Sequence, residues 1–179
     1  MTLSQAILHL FLLFPLWGTP LEPARVAVLP IDLNDVSNQP VPRVLEQRMQ
    51  SLAQALSVHL AAACGYTIVG SKAAAHSREK LGPGYYYAHP DLAVALTRAA
   101  GPDWVIIPRL NRASPWVADL QAHVVRVRDT TIVSNRIVEI KGLELAPELA
   151  SRLTGIASAD FYGAYLQERV DSANRAAAG

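Results

Sequence analysis

A long amphipathic pattern between two short β-branched runs most constrains the fold of this chain. The pattern predicts a helix of about six turns with one apolar face, given 3.6 residues per turn. Residues 26–31 precede it and residues 66–69 follow it, and both runs are typical of buried strands. The chain therefore contains a β-α-β unit. The apolar positions of the helix recur at three- and four-residue steps: Leu45, Met49, Leu52, Leu56, Leu60 and Ala63.

The second half of the chain changes to the two-residue period of strands. Residues 116–128 and 132–141 are long β-rich runs joined by a predicted hairpin turn at 128–131. Apolar and polar side chains alternate along residues 120–124, as a sheet with one polar face requires. The alternation slips at Val124-Val125, which predicts a β-bulge or a sheet covered on both faces at that end.

The remaining segments complete the predicted order of elements. Residues 71–80 and 91–100 are predicted to be helices, 104–107 a buried strand, 81–90 an irregular loop and 147–175 a C-terminal helix. The resulting order is β-α-β-α-α-β-β-β-α. We therefore expect an α/β (α+β) fold: a single three-layer-like domain whose mixed sheet ends in an antiparallel meander, with helices packed on it.

An apolar run at residues 6–17 predicts export. It has the length of the hydrophobic region of a signal peptide and is shorter than the roughly 20 residues that a transmembrane helix needs. We expect residues 1–24 to be a signal peptide and residues 25–179 to be one periplasmic domain without a transmembrane span. Residues 1–5 contain no lysine or arginine. An apolar N-terminal helix packed on the domain or on a partner is therefore the alternative.

The charge balance and the motifs of the chain favour binding over catalysis. The 16 basic and 15 acidic residues are scattered and leave a formal net charge of +1, so nucleic acid is not an expected partner. No nucleophile elbow, phosphate loop or dinucleotide fingerprint is present, and no cofactor is predicted. The single cysteine, Cys64, has no intramolecular disulfide partner.

Several short sequence blocks resemble one bacterial family. They are VAVLPIDL at 26–33 with DVS at 35–37, GYTIV at 65–69, AAGPDWVII at 99–107 and VRVRD at 125–129. Over roughly residues 25–142 they are similar to the domain of unknown function 2380, a family of exported proteins. More distantly, the order of elements is similar to the amino-terminal domain of TolB and to the curli-secretion CsgG group. This resemblance implies a non-catalytic accessory or binding role with an envelope protein as partner.

A run of three tyrosines is the best candidate for a binding site. Tyr85, Tyr86 and Tyr87 follow two glycines in the predicted loop, and three consecutive rings cannot all face one core. Tyrosine suits an interface because it joins a large apolar ring to a hydroxyl. Trp116, at the start of the meander, is placed in the same candidate interface. The alternative is that two of the rings cover the sheet edge and the third has no role.

A hydrolase site is the second hypothesis. Asp32 and Asp35 follow the first predicted strand, at the carboxyl edge where α/β folds often place functional groups. With His89 they would form a metal-dependent or acid/base site if all three side chains converged within about 4 Å. The simpler interpretation is a turn in which the aspartates accept backbone N–H groups.

Two further considerations concern metals and small ligands. The five histidines are not spaced as metal ligands, so no metal site is predicted. The resemblance implies a cysteine pair before the third strand in family members, but this chain has YAHP at 87–90. A periplasmic small-ligand sensor is the third hypothesis, and it requires a closed apolar pocket between the helices and the sheet.

Overall fold

The computed structural model describes residues 23–41, 43–70, 84–114 and 117–140, together with Gly82 and Arg175. The predicted signal peptide up to residue 22, the predicted helix at 71–80 and all of 147–175 except Arg175 lie outside the described residues. The elements in chain order are strands β1 (Arg25–Val28) and β2 (Asp32–Asp35), helix α1 (Arg43–Cys64), strand β3 (Thr67–Val69), helices α2 (Tyr85–Ala88) and α3 (Pro90–Thr97), a 3-10 turn (Arg98–Ala100), and strands β4 (Trp104–Arg112), β5 (Ala118–Arg126) and β6 (Thr131–Ile140).

One mixed sheet organises the described chain, as the sequence predicts. Its strand order is β3-β1-β4-β5-β6, and β2 pairs with β4 off this path. Strands β3, β1 and β4 run parallel, as the β-α-β unit requires. Strands β4, β5 and β6 form the predicted antiparallel meander. The α/β fold class is therefore confirmed.

The first predicted strand, at 26–31, ends at Val28, and a second strand, β2, follows it from Asp32. Val26 pairs with Trp104 in β1, and Asp32 pairs with Arg109 in β2, so the pairing shifts by one residue in the intervening segment. Pro30 lies in that segment, and it has no N–H with which to continue a regular ladder. The prediction of a turn at Asp32 was therefore wrong, because β2 extends the sheet along β4.

Helices pack on both faces of the sheet. The predicted apolar stripe of α1 buries Met49, Leu52, Leu56 and Leu60 against one face, where they form a core with β-strand residues such as Ile106. A second cluster lies on the opposite face, between α2, α3 and the sheet. Its buried members are Ala27, Leu29, Tyr86, Ala93, Val94, Val105, Ile107 and Val125. The described part of the chain thus has a helix–sheet–helix arrangement.

The predicted irregularity in the meander is present. Val124 pairs with Ser134, whereas Val125 pairs with Ile132, so β6 contains one extra residue at Val133. The sheet is also covered on both faces here, because Val124 belongs to the α1 core and Val125 to the opposite core. Both explanations offered for the slip in alternation therefore apply.

Two other predicted boundaries need correction. Residues 85–88, predicted as part of an irregular loop, form one helical turn after Gly84, whose left-handed φ of 77° suits a residue without a Cβ. The predicted strand at 104–107 continues to Arg112, since β2 and β5 extend the ladder on either side. None of the helices in the described residues is both long and apolar enough to cross a bilayer.

The packing of α1 predicts a clear contrast between two neighbouring substitutions. Leu56 is 1% exposed and Val58 is 59% exposed. Leu56→Ala should lower the free energy of unfolding by about 2–5 kcal/mol, because it leaves a cavity in the α1 core. Val58→Ala should change it by less than about 0.5 kcal/mol. Urea denaturation of both variants tests this, and equal effects would contradict the assigned face of α1.

Candidate functional site

The two aspartates of β2 lie on opposite faces of the sheet. Side chains alternate along a strand, so residues three positions apart point in opposite directions. Asp32 is buried, and its carboxylate accepts a hydrogen bond from the backbone N–H of Gly84, just before α2. Asp35 forms an ion pair with Arg112, with 2.7 Å between Oδ2 and Nη1. The structure therefore does not bring Asp32 and Asp35 together.

Asp35 fastens the end of β2 to its neighbours. Its Oδ1 accepts hydrogen bonds from the hydroxyl of Ser37 at 2.6 Å and from the backbone N–H of Ser37 at 2.9 Å. These bonds, together with Arg112, hold the pKa of Asp35 below its ordinary value of 3.8. Asp35 thereby forms the Asx turn that the simpler interpretation expects, at the end of β2, whereas Asp32 accepts the N–H of the distant Gly84 from within the strand.

The three tyrosines have three different environments. Tyr86 is 5% exposed and packs in the core between α2, α3 and the sheet. Tyr85 is partly exposed and its ring lies 4.6 Å from the ring of His89. Tyr87 is also partly exposed and stacks on the imidazole of His123 with 3.8 Å between ring centroids. Helix α2 therefore has one buried tyrosine and two at its surface.

Tyr87 is held by side chains from three strands. The guanidinium of Arg109 on β4 lies 3.8 Å from the ring centroid, a cation–π distance. His123 on β5 stacks against the ring, and the Tyr87 hydroxyl donates a hydrogen bond to Asn135 Oδ1 on β6 at 3.1 Å. Burial and the Asp119 carboxylate raise the pKa of Tyr87, while Arg109 opposes them. The ring is thus held by contacts within the described chain.

A polar network continues from Tyr87 across the same face. Arg109 donates to Gln121 at 2.6 Å, Asn34 donates to Asn111 at 2.7 Å, and Asn111 donates to Asp119 at 3.0 Å. Three buried atoms in this region have no hydrogen-bond partner within the described residues: Arg109 Nε, Asp119 Oδ1 and His123 Nδ1. The network is therefore only partly satisfied by the described chain, and such networks are energetically sensitive to what covers them.

The exposed edge of the sheet adds apolar surface to this face. Ile137 is 62% exposed and Ile132 is 43% exposed. They pair with Gln121 and Val125, and directly opposite residues share a face of the sheet. We use the name tyrosine face for the surface formed by Tyr85, Tyr87, Arg109, His123, Ile132, Asn135 and Ile137. It combines aromatic rings, a cation and apolar edge residues, which are typical of protein interfaces.

The sequence located only part of this surface. Tyr85 and Tyr87 lie on it, Tyr86 is directed into the core, and Trp116 lies outside the described residues. Arg109, His123 and Asn135 were not singled out as site residues. The polar alternation along β5 is a signal for His123, but Asn135 is 48 residues from Tyr87 and only the tertiary fold joins them.

The structure offers no assembled metal site within its described parts. No group of three or more histidine, cysteine, aspartate and glutamate side chains is arranged there to hold a metal ion. The His89 ring packs against the Tyr85 ring in a tilted arrangement, and the backbone N–H of His89 donates a hydrogen bond to the Tyr85 carbonyl. The residues of the hydrolase hypothesis are therefore distributed over both faces of β2 and the start of α3.

The fold and the tyrosine face together define a class: a small mixed α/β domain with a polar, aromatic surface on one face of its meander. The chain belongs to the family described as protein of unknown function (DUF2380), whose model matches residues 24–144. This confirms the resemblance that the short sequence blocks indicate. No curated protein is significantly similar to the chain in sequence.

Several solved structures are similar to the chain in fold. TolB from Acinetobacter baumannii has a TM-score of 0.50 at 11% identity, covering 79% of this chain and 29% of TolB. The LpoB C-terminal domain from Salmonella enterica has a TM-score of 0.48 at 14% identity, covering 66% of this chain and 83% of that domain. Lipoprotein GNA1162 from Neisseria meningitidis has a TM-score of 0.46 at 13% identity, covering 79% of this chain and 99% of that lipoprotein. At these identities the likeness is one of fold.

The contact between Asp32 and Gly84 predicts how α2 is attached. Asp32→Ala removes the acceptor for the Gly84 N–H and should cost about 1–3 kcal/mol of stability. Amide hydrogen exchange at residues 84–88 should accelerate, because the N-terminal end of α2 loses its hydrogen bond to the sheet. Asp32→Asn keeps an acceptor oxygen and should preserve most of the protection. Unchanged exchange at residues 84–88 in Asp32→Ala would contradict this attachment.

The environment of His123 predicts a dependence of stability on pH. Burial, and secondarily Arg109, lower the pKa of His123 from its ordinary value of 6.5. Below about pH 6.5 the unfolded chain therefore binds a proton that the folded chain does not, so the free energy of unfolding falls as the pH falls. His123→Phe keeps an aromatic ring and should reduce this loss between about pH 7.5 and pH 5.5. Urea denaturation measures it, with Val58→Ala expected to keep the parent slope.

Proposed function

We propose that this protein is a non-catalytic, exported accessory protein of the bacterial periplasm that binds another envelope protein through the tyrosine face. The main support for the proposal is that contacts with Arg109, His123 and Asn135 hold the ring of Tyr87 in place. A ring that is already ordered loses little conformational entropy on binding, so it is suited to an interface. Tyr85 and the exposed isoleucines of β6 extend the apolar contact around it.

The family and the fold support this proposal in different ways. The sequence resemblance implies exported proteins with binding roles, and it covers most of the described domain. The TolB likeness supports the fold on which such a surface is built. Because fold does not determine function, the proposal that the protein binds a partner rests on the tyrosine face itself.

In the part of the chain that the structure describes, no specific observation favours either of the other two hypotheses. A hydrolase at Asp32, Asp35 and His89 would need one cleft, whereas β2 directs its two aspartates to opposite faces. A small-ligand sensor would need an enclosed apolar pocket. The groove between α1 and residues 28–31 has Glu46, Gln50 and Gln54 in its lining and is therefore not purely apolar. The binding-protein proposal requires neither a cleft nor an enclosed pocket.

Site-specific photocrosslinking tests the interface. A photoreactive phenylalanine analogue at Tyr85 or Ile137 should form a crosslink to one shared envelope protein in intact bacteria. The matched control is Val58, which is about as exposed as Ile137 but lies on α1 across the sheet. Tyr86 is left unchanged because it is part of the core. Crosslinks that are identical at all three positions, or absent at Tyr85 and Ile137, would overturn the proposal.

A separate experiment tests export. The full chain with a C-terminal tag should appear in the periplasmic fraction, and its intact mass should correspond to loss of about the first 24 residues, the length of an ordinary signal peptide. A chain that retains these residues in the cytoplasmic fraction would contradict export. It would not by itself contradict the tyrosine face as a binding surface.

A further inference from the structure

A row of polar side chains crosses the sheet beside the tyrosine face. Its members lie directly opposite one another in neighbouring strands, in the order Asn34 (β2), Asn111 (β4), Asp119 (β5) and Glu139 (β6). Directly opposite residues share a face of the sheet. Glu139 comes two residues after Ile137, so this polar row lies on the same face as the tyrosine face.

The hydrogen bonds of the polar row run in one direction. Asn34 Nδ2 donates to Asn111 Oδ1 at 2.7 Å, and Asn111 Nδ2 donates to Asp119 Oδ2 at 3.0 Å. An ionised carboxylate can only accept, so Asn111 turns its amide nitrogen toward Asp119 and leaves its oxygen for Asn34. The donors of the row therefore point toward β5, and the row ends in two carboxylates.

These two carboxylates have no cation within the described residues. Asp119 Oδ1 is buried without a hydrogen-bond partner there, and Glu139 is exposed and takes part in no ion pair of that part of the chain. The ion pairs of the described residues use the carboxylates of Asp35 and Asp129 instead. Like charges directly opposite each other in a sheet are destabilising. The polar row thus carries an uncompensated negative charge.

Arg109 lies on the same face but is engaged elsewhere. Its Nη2 donates to Gln121 at 2.6 Å, and its guanidinium lies over the ring of Tyr87. No ion pair of the described residues joins it to Asp119. The carboxylates of the polar row are therefore open to a cation supplied by a partner.

The surroundings of Glu139 indicate what kind of cation fits. Ile137, its neighbour on the same face, is 62% exposed, so this end of the face is open to solvent. An exposed apolar side chain beside a carboxylate suits a lysine or arginine, which has an apolar stem and a charged head. Asp119 and Glu139 alone supply fewer ligands than the about six to eight oxygens that Ca²⁺ takes. A basic side chain of a protein is therefore favoured over a metal ion.

We propose that the end of the polar row binds an arginine or lysine side chain of the envelope protein that the tyrosine face binds. The cationic head pairs with the exposed carboxylate of Glu139 and compensates the charge of Asp119, while the stem packs on Ile137. A guanidinium can form two parallel bonds to one carboxylate. Complementary charge of this kind selects among partners and fixes their orientation. This site extends the tyrosine face, so the proposal rests on the proposed function.

A stability measurement tests the uncompensated charge without any partner. Glu139→Gln removes one of two opposing charges, so the full chain should have a urea midpoint equal to or higher than that of the parent. Any gain should shrink as added salt screens the repulsion. A lower midpoint would show that Glu139 already has a stabilising partner in this chain, and it would overturn the proposal.

Photocrosslinking from Tyr85 in intact bacteria tests the binding, since this position leaves Ile137 and Glu139 in place. Glu139→Gln should lower the crosslink yield about two- to fivefold, the value of an exposed ion pair, and Glu139→Arg should lower it further. The matched control is Glu46→Gln, an exposed glutamate of α1 that should leave the yield unchanged. Equal yields in the parent and Glu139→Gln would overturn this proposal and leave the proposed function intact.

A crosslink from Ile137 then identifies the partner segment that lies opposite Glu139. We expect a lysine or arginine in that segment. Its change to glutamate should reduce the Tyr85 crosslink, and Glu139→Arg should restore it. A segment without a basic residue, or absence of rescue, would overturn the proposal alone. Absence of crosslinks from both Tyr85 and Ile137 would overturn the proposed function together with it.

Discussion

Burial of β4 on both faces is the constraint on which the rest of the structure depends. This strand pairs with β1 and β2 on one side and with β5 on the other. Its alternate side chains enter different cores, so that Ile106 packs beneath α1 while Ile107 packs beneath α2 and α3. A run of consecutive apolar residues is required for this, and the sequence WVII at 104–107 meets that requirement. Neither helical layer has a core without it.

The same strand becomes amphipathic at its second half. After Pro108 the side of β4 that faces α2 changes from isoleucine to Arg109 and Asn111, and the hydrogen bonds of these residues join β2, β4 and β5. The opposite side still contributes Leu110 to the α1 core. One strand thus fixes both the hydrophobic centre and the polar face from which Tyr87 is held.

The sequence predicts those features that repeat at a fixed period. The apolar stripe of α1 and the alternation along the meander are periodic patterns, and the slip at Val124-Val125 is a break in the second pattern. The structure has all three features. It does not predict that β2 is a strand, because the polar residues DLND read as a turn until the ladder of β4 is available to pair with them. Nor does it predict that Tyr86 turns inward, since that depends on how Gly84 and Asp32 orient one helical turn. The tyrosine face therefore follows from tertiary contacts rather than from local preference.

The shift of pairing between β1 and β2 has a consequence for how this chain can vary in length. A strand offset by one residue exchanges its two faces. Deleting a residue at 29–31 would direct Leu33 to the side where Asp32 now receives Gly84 and would place Asp32 against the α1 core. Loops elsewhere in a domain tolerate insertions and deletions. The length of this short connection, by contrast, determines which face of the sheet each side chain of β2 occupies, and hence whether Asp32 can bond to Gly84 before the tyrosines. We therefore expect its length to be as strictly determined as the identity of a core residue.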